Sequence, residues 1–65
     1  MRLTVNGDVH EVASRTLADL LLELGYGELV VATAVNQTFV PVTARSDRVL
    51  EPGDSVEVLA PMQGG

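Results

Sequence analysis

The sequence predicts an α+β fold in which one helix packs on one face of a mixed sheet of four or five strands. Three observations predict it. The apolar pattern alternates near both ends of the chain, it switches once to a helical period near residue 17, and the segments are separated by turn dipeptides of the hairpin kind.

"MRLTVNGDVHEV" reads as a hairpin. Leu3 and Val5 alternate with Arg2, Thr4 and Asn6, the residues Asn6, Gly7 and Asp8 supply the turn, and Val9 to Val12 return. Asn-Gly is a strong hairpin signal because both residues tolerate positive φ.

"SRTLADLLLELGYG" changes period. Leu17, Leu20, Leu21 and Leu24 fall at i, i+3, i+4 and i+7 and make one apolar stripe, with Asp19 and Glu23 off it, so a helix is expected over about residues 17 to 24. Thr16 is placed to cap its first turn, and Asp19 stands three residues on as the acid of a capping box. Gly25 ends it by adopting the left-handed conformation at little cost.

"ELVVATAVNQTFVPV" is apolar and β-branched from Leu29 to Val35, turns near Asn36 and Gln37, and resumes from Thr38 to Val40 until Pro41 removes a ladder donor. A central strand followed by a short one is expected. "TARSDRVL" reads as a loop leading into a short strand at Arg48 to Leu50, and "EPGD" fits a type II turn with Pro52 and Gly53 at its centre. "SVEVLA" is the last strand, with Val56, Val58 and Ala60 on one face and Ser55, Glu57 and Leu59 on the other.

In this order, a helical crossover joins strands that are naturally parallel, so the first and last strands can pair at the centre of the sheet. That is the β-grasp, or ubiquitin-like, topology. Residues 1–60 are expected to form this domain and residues 61–65 a flexible tail.

With 65 residues the chain makes one small domain, which buries about 60% of the surface its unfolded form exposes. One Phe, one Tyr and no Trp leave the packing to Val, Leu and Ala. The absence of cysteine excludes a disulfide framework, a thiolate nucleophile and a cysteine metal site. Nine acidic residues against four arginines, with no lysine, give a net charge of −5. That balance argues against nucleic acid as a partner, since phosphate binding needs clustered cations, and favours a partner with a basic docking surface. No apolar run is long enough for a membrane helix and the N-terminal segment alternates, so a cytoplasmic protein without membrane association is expected.

The ending "PMQGG" directs attention to the backbone. Pro61 stops the last strand, Met62 and Gln63 add length, and Gly64 and Gly65 carry no side chain. Fully extended, five residues reach about 17 Å, enough to thread a carboxylate into another protein's active site. Without Cβ atoms the glycines fit a narrow channel and leave the terminal carbonyl carbon open to approach. Such an end suits acyl chemistry. Adenylation by ATP would make the carboxylate reactive, after which a sulfur nucleophile leaves a thiocarboxylate and an amine leaves an amide.

Other residues have plainer readings. His10, the only histidine, lies in the hairpin without partners at ligand spacing and reads as a surface residue. The scattered acids read as a solvated surface. Gly25 to Gly27 follows a helix, so it is a helix stop and not a phosphate loop.

Taken with the fold, the chain is similar to the ThiS-family sulfur carriers of thiamine thiazole biosynthesis. The similarity runs essentially end to end and is densest in "VNG" (Val5 to Gly7), "VATAVNQTFVP" (Val31 to Pro41) and "LEPGDSVEVLAPMQGG" (Leu50 to Gly65). Many family members carry Arg after the proline, where this chain has Val42 and continues "VTARSD".

The resemblance implies a protein co-substrate and not an enzyme. An E1-like adenylating enzyme would use ATP and magnesium to activate Gly65, sulfur would come from cysteine through a desulfurase relay, and the thiocarboxylate on Gly65 would serve thiazole synthase. Gly64, Gln63 and Met62 would thread the tail, and the chain itself would bind no cofactor. Leu59, predicted on the face opposite the helix, is a candidate contact for the activating enzyme or the synthase. Phe39, beside a turn on a short strand, belongs either to the same patch or to the core. A molybdopterin-type sulfur carrier shares the fold and the Gly-Gly end, although such chains tend to be longer. A ubiquitin-like modifier that forms isopeptide bonds on target lysines is a further alternative.

Overall fold

The computed structural model describes residues 1–27 and 29–60. These residues form five strands and one α-helix: β1 (Arg2–Val5), β2 (Asp8–Glu11), α1 (Leu17–Glu23), β3 (Ala32–Val35), β4 (Thr38–Val40) and β5 (Ser55–Leu59). The strand order is β2-β1-β5-β3-β4, and only the β1–β5 pair is parallel, the other pairs being antiparallel. The first and last strands therefore meet at the centre of a mixed sheet, as the β-grasp expectation requires. No helix among the described residues is long and apolar enough to cross a membrane.

Both hairpins turn through two residues with positive φ, Asn6 (52°) with Gly7 (86°) and Asn36 (50°) with Gln37 (70°). That backbone twist matches the twist of paired strands. The helix begins where Thr16 accepts a hydrogen bond on Oγ1 from the Asp19 amide at 3.2 Å, and Gly25 follows its C-cap at φ 90°. Leu17, Leu20 and Leu21 are buried and Leu24 is partly so, which is the stripe expected from the spacing.

The helix covers one face of the sheet. From that face Leu3, Val5, Val35, Val40, Val56 and Val58 meet the helical leucines, with Val12, Val31 and Leu50 closing the rim. Among the described residues Thr33 is the one polar residue buried with them; its hydroxyl donates to the Val40 carbonyl at 2.8 Å and accepts from Arg45 Nε at 3.0 Å, so its polar group is satisfied.

Four local expectations change. The strand expected from Leu29 begins at Ala32, and Leu29 and Val30 are exposed. Ala32 pairs with Leu59, the last residue of β5, so no backbone of β5 lies alongside the residues before it. The segment expected as a loop is a 3₁₀ helix, Val42–Asp47, entered from Pro41. The expected strand at Arg48 to Leu50 is reduced to an isolated bridge between Val49 and Thr16, flanked by hydrogen bonds from Leu17 N to Arg48 O (2.9 Å) and from Leu50 N to Arg15 O (2.8 Å). Ala60, expected on the inner face of the last strand, is exposed one residue beyond its end.

Candidate functional site

β5 alternates cleanly, with Val56 and Val58 buried and Ser55, Glu57 and Leu59 exposed. Period-two alternation in paired strands carries this choice across the sheet. Ala32 and Ala34 stand opposite Leu59 and Glu57, and Phe39 stands opposite Ala34, so all five share the face turned away from the helix.

Phe39 (66% exposed) and Leu59 (64%) are the large residues there. The structure thus decides between the two readings of Phe39: it is surface, and it joins Leu59. The small side chains of Ala32 and Ala34 leave a shallow hollow of about 100 Å³ between them, bordered by Glu57. A second hollow, of about 280 Å³, continues from Leu59 past Ala32 to Val30, Val31 and Ala60. Leu59 borders both. An apolar surface of this kind, on the outer face of a small acidic domain, has the character of a protein-binding patch.

The patch lies at the end of the sheet where β5 runs out. Leu59 is its last residue and Ala60 follows, exposed and bordering the second hollow. The apolar patch and Ala60 are therefore adjacent. Met62, Gln63, Gly64 and Gly65 lie outside the described residues. Ala32, Ala34 and Val30 were not among the residues expected at the site. The alternation of "VATAV" around the inward-facing Thr33 is the signal that would have placed the two alanines beside Leu59.

The titratable groups of the described region are dispersed. No three His, Cys, Asp or Glu side chains among the described residues are gathered closely enough to hold a metal ion. His10 is half-buried on the edge strand β2, opposite Leu3 of β1. Glu23 is held below the usual glutamate pKa of 4.5, first by the Ser14 hydroxyl and then by the Ala13 amide, both donating to its carboxylate. It ties the link after β2 to the last turn of α1 and lies on the helix side of the molecule.

The model of the ThiS family matches residues 3–65. The chain belongs to the ThiS family. Among its relatives, the sulfur carrier protein ThiS of Thermus thermophilus is 38% identical over 61 residues, covering 94% of this chain and 95% of that protein. The crystal structure of the thiamine biosynthesis protein ThiS from Geobacter metallireducens superposes with a TM-score of 0.85 at 30% identity, over the whole of both chains. An NMR solution structure of a thiamine biosynthesis protein from the same organism gives 0.80 at 30% identity, over all of this chain and 88% of the other. The ThiS family thus accounts for the β-grasp sheet and for the similarity seen in the sequence.

Proposed function

We propose that this protein is a sulfur carrier for thiamine biosynthesis and that Gly65 is the residue that carries the sulfur. One observation carries the reading: the ThiS family match extends through residue 65 and so includes the Gly64-Gly65 pair. The protein is a co-substrate, and the catalytic groups belong to its partners.

The chemistry follows from the terminal acyl group. In a separate E1-like adenylating enzyme, a carboxylate oxygen of Gly65 attacks the α-phosphorus of ATP and pyrophosphate leaves. The acyl carbon then bears AMP as a leaving group. A persulfide, supplied from cysteine through a desulfurase relay, adds its terminal sulfur to that carbon, and AMP departs with the C–O electron pair. A second thiol of the partner then attacks the far sulfur of the resulting acyl disulfide, forming a protein disulfide and releasing the sulfur on Gly65 with its electron pair. The product is a thiocarboxylate, the form offered to thiazole synthase. Gly64 gives clearance in the partner's channel, Gln63 and Met62 give reach, and Phe39 and Leu59 seat the domain against the partner. ATP and magnesium belong to the activating enzyme.

ATP–pyrophosphate exchange by the cognate adenylating enzyme, with this chain as acceptor, tests the reading. Exchange is expected with the intact chain and is expected to vanish when Gly65 is deleted, with the melting temperature unchanged. Exchange that survives the deletion undiminished would contradict the assignment of Gly65.

A further inference from the structure

The central strand is completed by two asparagine side chains, one on each flank. Towards β3, backbone pairing runs from Val35 opposite Val56 to Ala32 opposite Leu59. One residue earlier, the Ser55 amide donates to Asn36 Oδ1 at 2.9 Å while the Asn36 amide donates to the Ser55 carbonyl at 2.7 Å. Towards β1, the parallel pairing covers Ser55 and Val56, after which the chain leaves through the Asn6-Gly7 turn. Val58 would then face that flank unpaired. Instead its amide donates to Asn6 Oδ1 at 2.8 Å, and Asn6 Nδ2 donates to its carbonyl at 3.1 Å.

A carboxamide carries a donor and an acceptor in one plane, as a peptide unit does. The Asn6 side chain therefore lengthens β1 by the equivalent of one backbone unit. The two asparagines share a left-handed backbone and a similar task, but they stand at opposite ends of β5. Asn36 serves the end where the strand begins. Asn6 serves the end from which the chain runs on through Ala60 towards Gly65.

We propose that Asn6 is a positioning residue for delivery of the C-terminal acyl group. Beyond Val58, β5 is held from the β3 side by the pairing of Ala32 with Leu59. A strand held on one flank can swing about that ladder, and the Asn6 amide prevents this by holding Val58 from the other. The direction in which the chain leaves the sheet is thus set before a partner is met. Losing that restraint moves an ordering cost into the binding step, which raises KM and leaves kcat in place. This inference rests on the sulfur-carrier reading.

The test compares Asn6→Gly with Asn36→Gly. Glycine accepts the positive φ at both sites, so each variant loses the side-chain bonds without new backbone strain. In ATP–pyrophosphate exchange with the cognate adenylating enzyme, Asn6→Gly is expected to raise KM for the carrier about three- to tenfold with kcat held within about twofold. Asn36→Gly is expected to lose comparable stability with KM unchanged. Asn6→Asp, which keeps the acceptor and loses the donor, should fall between wild type and Asn6→Gly. NMR order parameters of the Leu59 and Ala60 amides give a second readout that needs no partner, and they should fall in Asn6→Gly and hold in Asn36→Gly. Equal effects of the two glycine variants on KM and on the order parameters, or no effect of either, would overturn the proposal. If wild type itself fails to support exchange, the sulfur-carrier reading falls, while the order parameters still decide whether Asn6 sets the exit of the chain.

Discussion

Phe39 on β4 and Leu59 on β5 stand two strands apart on the same outward face, bridged by the small side chains of Ala32 and Ala34 on β3. Neither is needed to close the core, since each is about two-thirds exposed at 66% and 64%. Replacing either with Thr should change stability by less than about 1 kcal/mol, because threonine suits an exposed strand position. It should lower kcat/KM for adenylation by the activating enzyme about tenfold or more, the loss typical of a central apolar anchor. Val9→Thr is the control: Val9 is 65% exposed on the same face, but on the far edge strand. Thermal melts and pyrophosphate-release kinetics on the three variants check this. An equal loss of activity in Val9→Thr would show that the effect is not local to the patch.

Arg45 fastens the 3₁₀ helix to the sheet. Its Nε donates to Thr33 Oγ1 at 3.0 Å and its Nη2 to the Val31 carbonyl at 2.5 Å. Arg45→Met keeps much of the apolar stem and removes both donors, so the expected loss is about 1–3 kcal/mol. Arg45→Lys should recover only part of it, since an ammonium cannot reproduce the planar fork. Urea midpoints of the two variants measure the difference.

Glu23 lies in the last turn of α1, where the helix dipole disfavours an acid, yet its carboxylate accepts from the Ala13 amide at 3.2 Å, from the Ser14 amide at 3.0 Å and from the Ser14 hydroxyl. These donors lower its pKa in the folded state, led by the Ser14 hydroxyl. The fold therefore favours the charged form, and the resulting stabilisation is present above the ordinary value of 4.5 and is lost as pH falls through the lowered folded value. Wild type should unfold at a higher urea concentration than Glu23→Gln near neutral pH, and the gap should close on acidification. A gap that is unchanged across the acidic range would contradict this account.

Much of the fold was legible because local and tertiary preferences agree. The Asn6-Gly7 turn, the leucine stripe from Leu17 to Leu24 and the alternation of Val56 and Val58 each specify an element by spacing alone, and the structure contains all three. The errors lie where a partner strand decides. Leu29 and Val30 have the composition of a strand, but β3 starts only where Leu59 is available to pair. Val42–Asp47 forms a 3₁₀ helix held through Arg45 to Val31 and Thr33, contacts between residues more than ten positions apart that no local pattern reveals.

The candidate site was legible in part for the same reason. Leu59 followed from alternation along β5. Phe39 required the register that sets it opposite Ala34, and the amide contacts of Asn6 and Asn36 required the end points of β1 and β3. In the sequence both asparagines read simply as turn residues.

On the sulfur-carrier reading, Gly65 leaves its activating enzyme as a thiocarboxylate. Intact mass of the chain after incubation with the cognate adenylating enzyme, ATP and a sulfide source measures this directly. The account predicts a mass gain equal to sulfur replacing one oxygen, localised to the C-terminal residue by fragmentation and absent when ATP is withheld. A chain of unchanged mass, with an enzyme shown to be competent on another carrier, would contradict it.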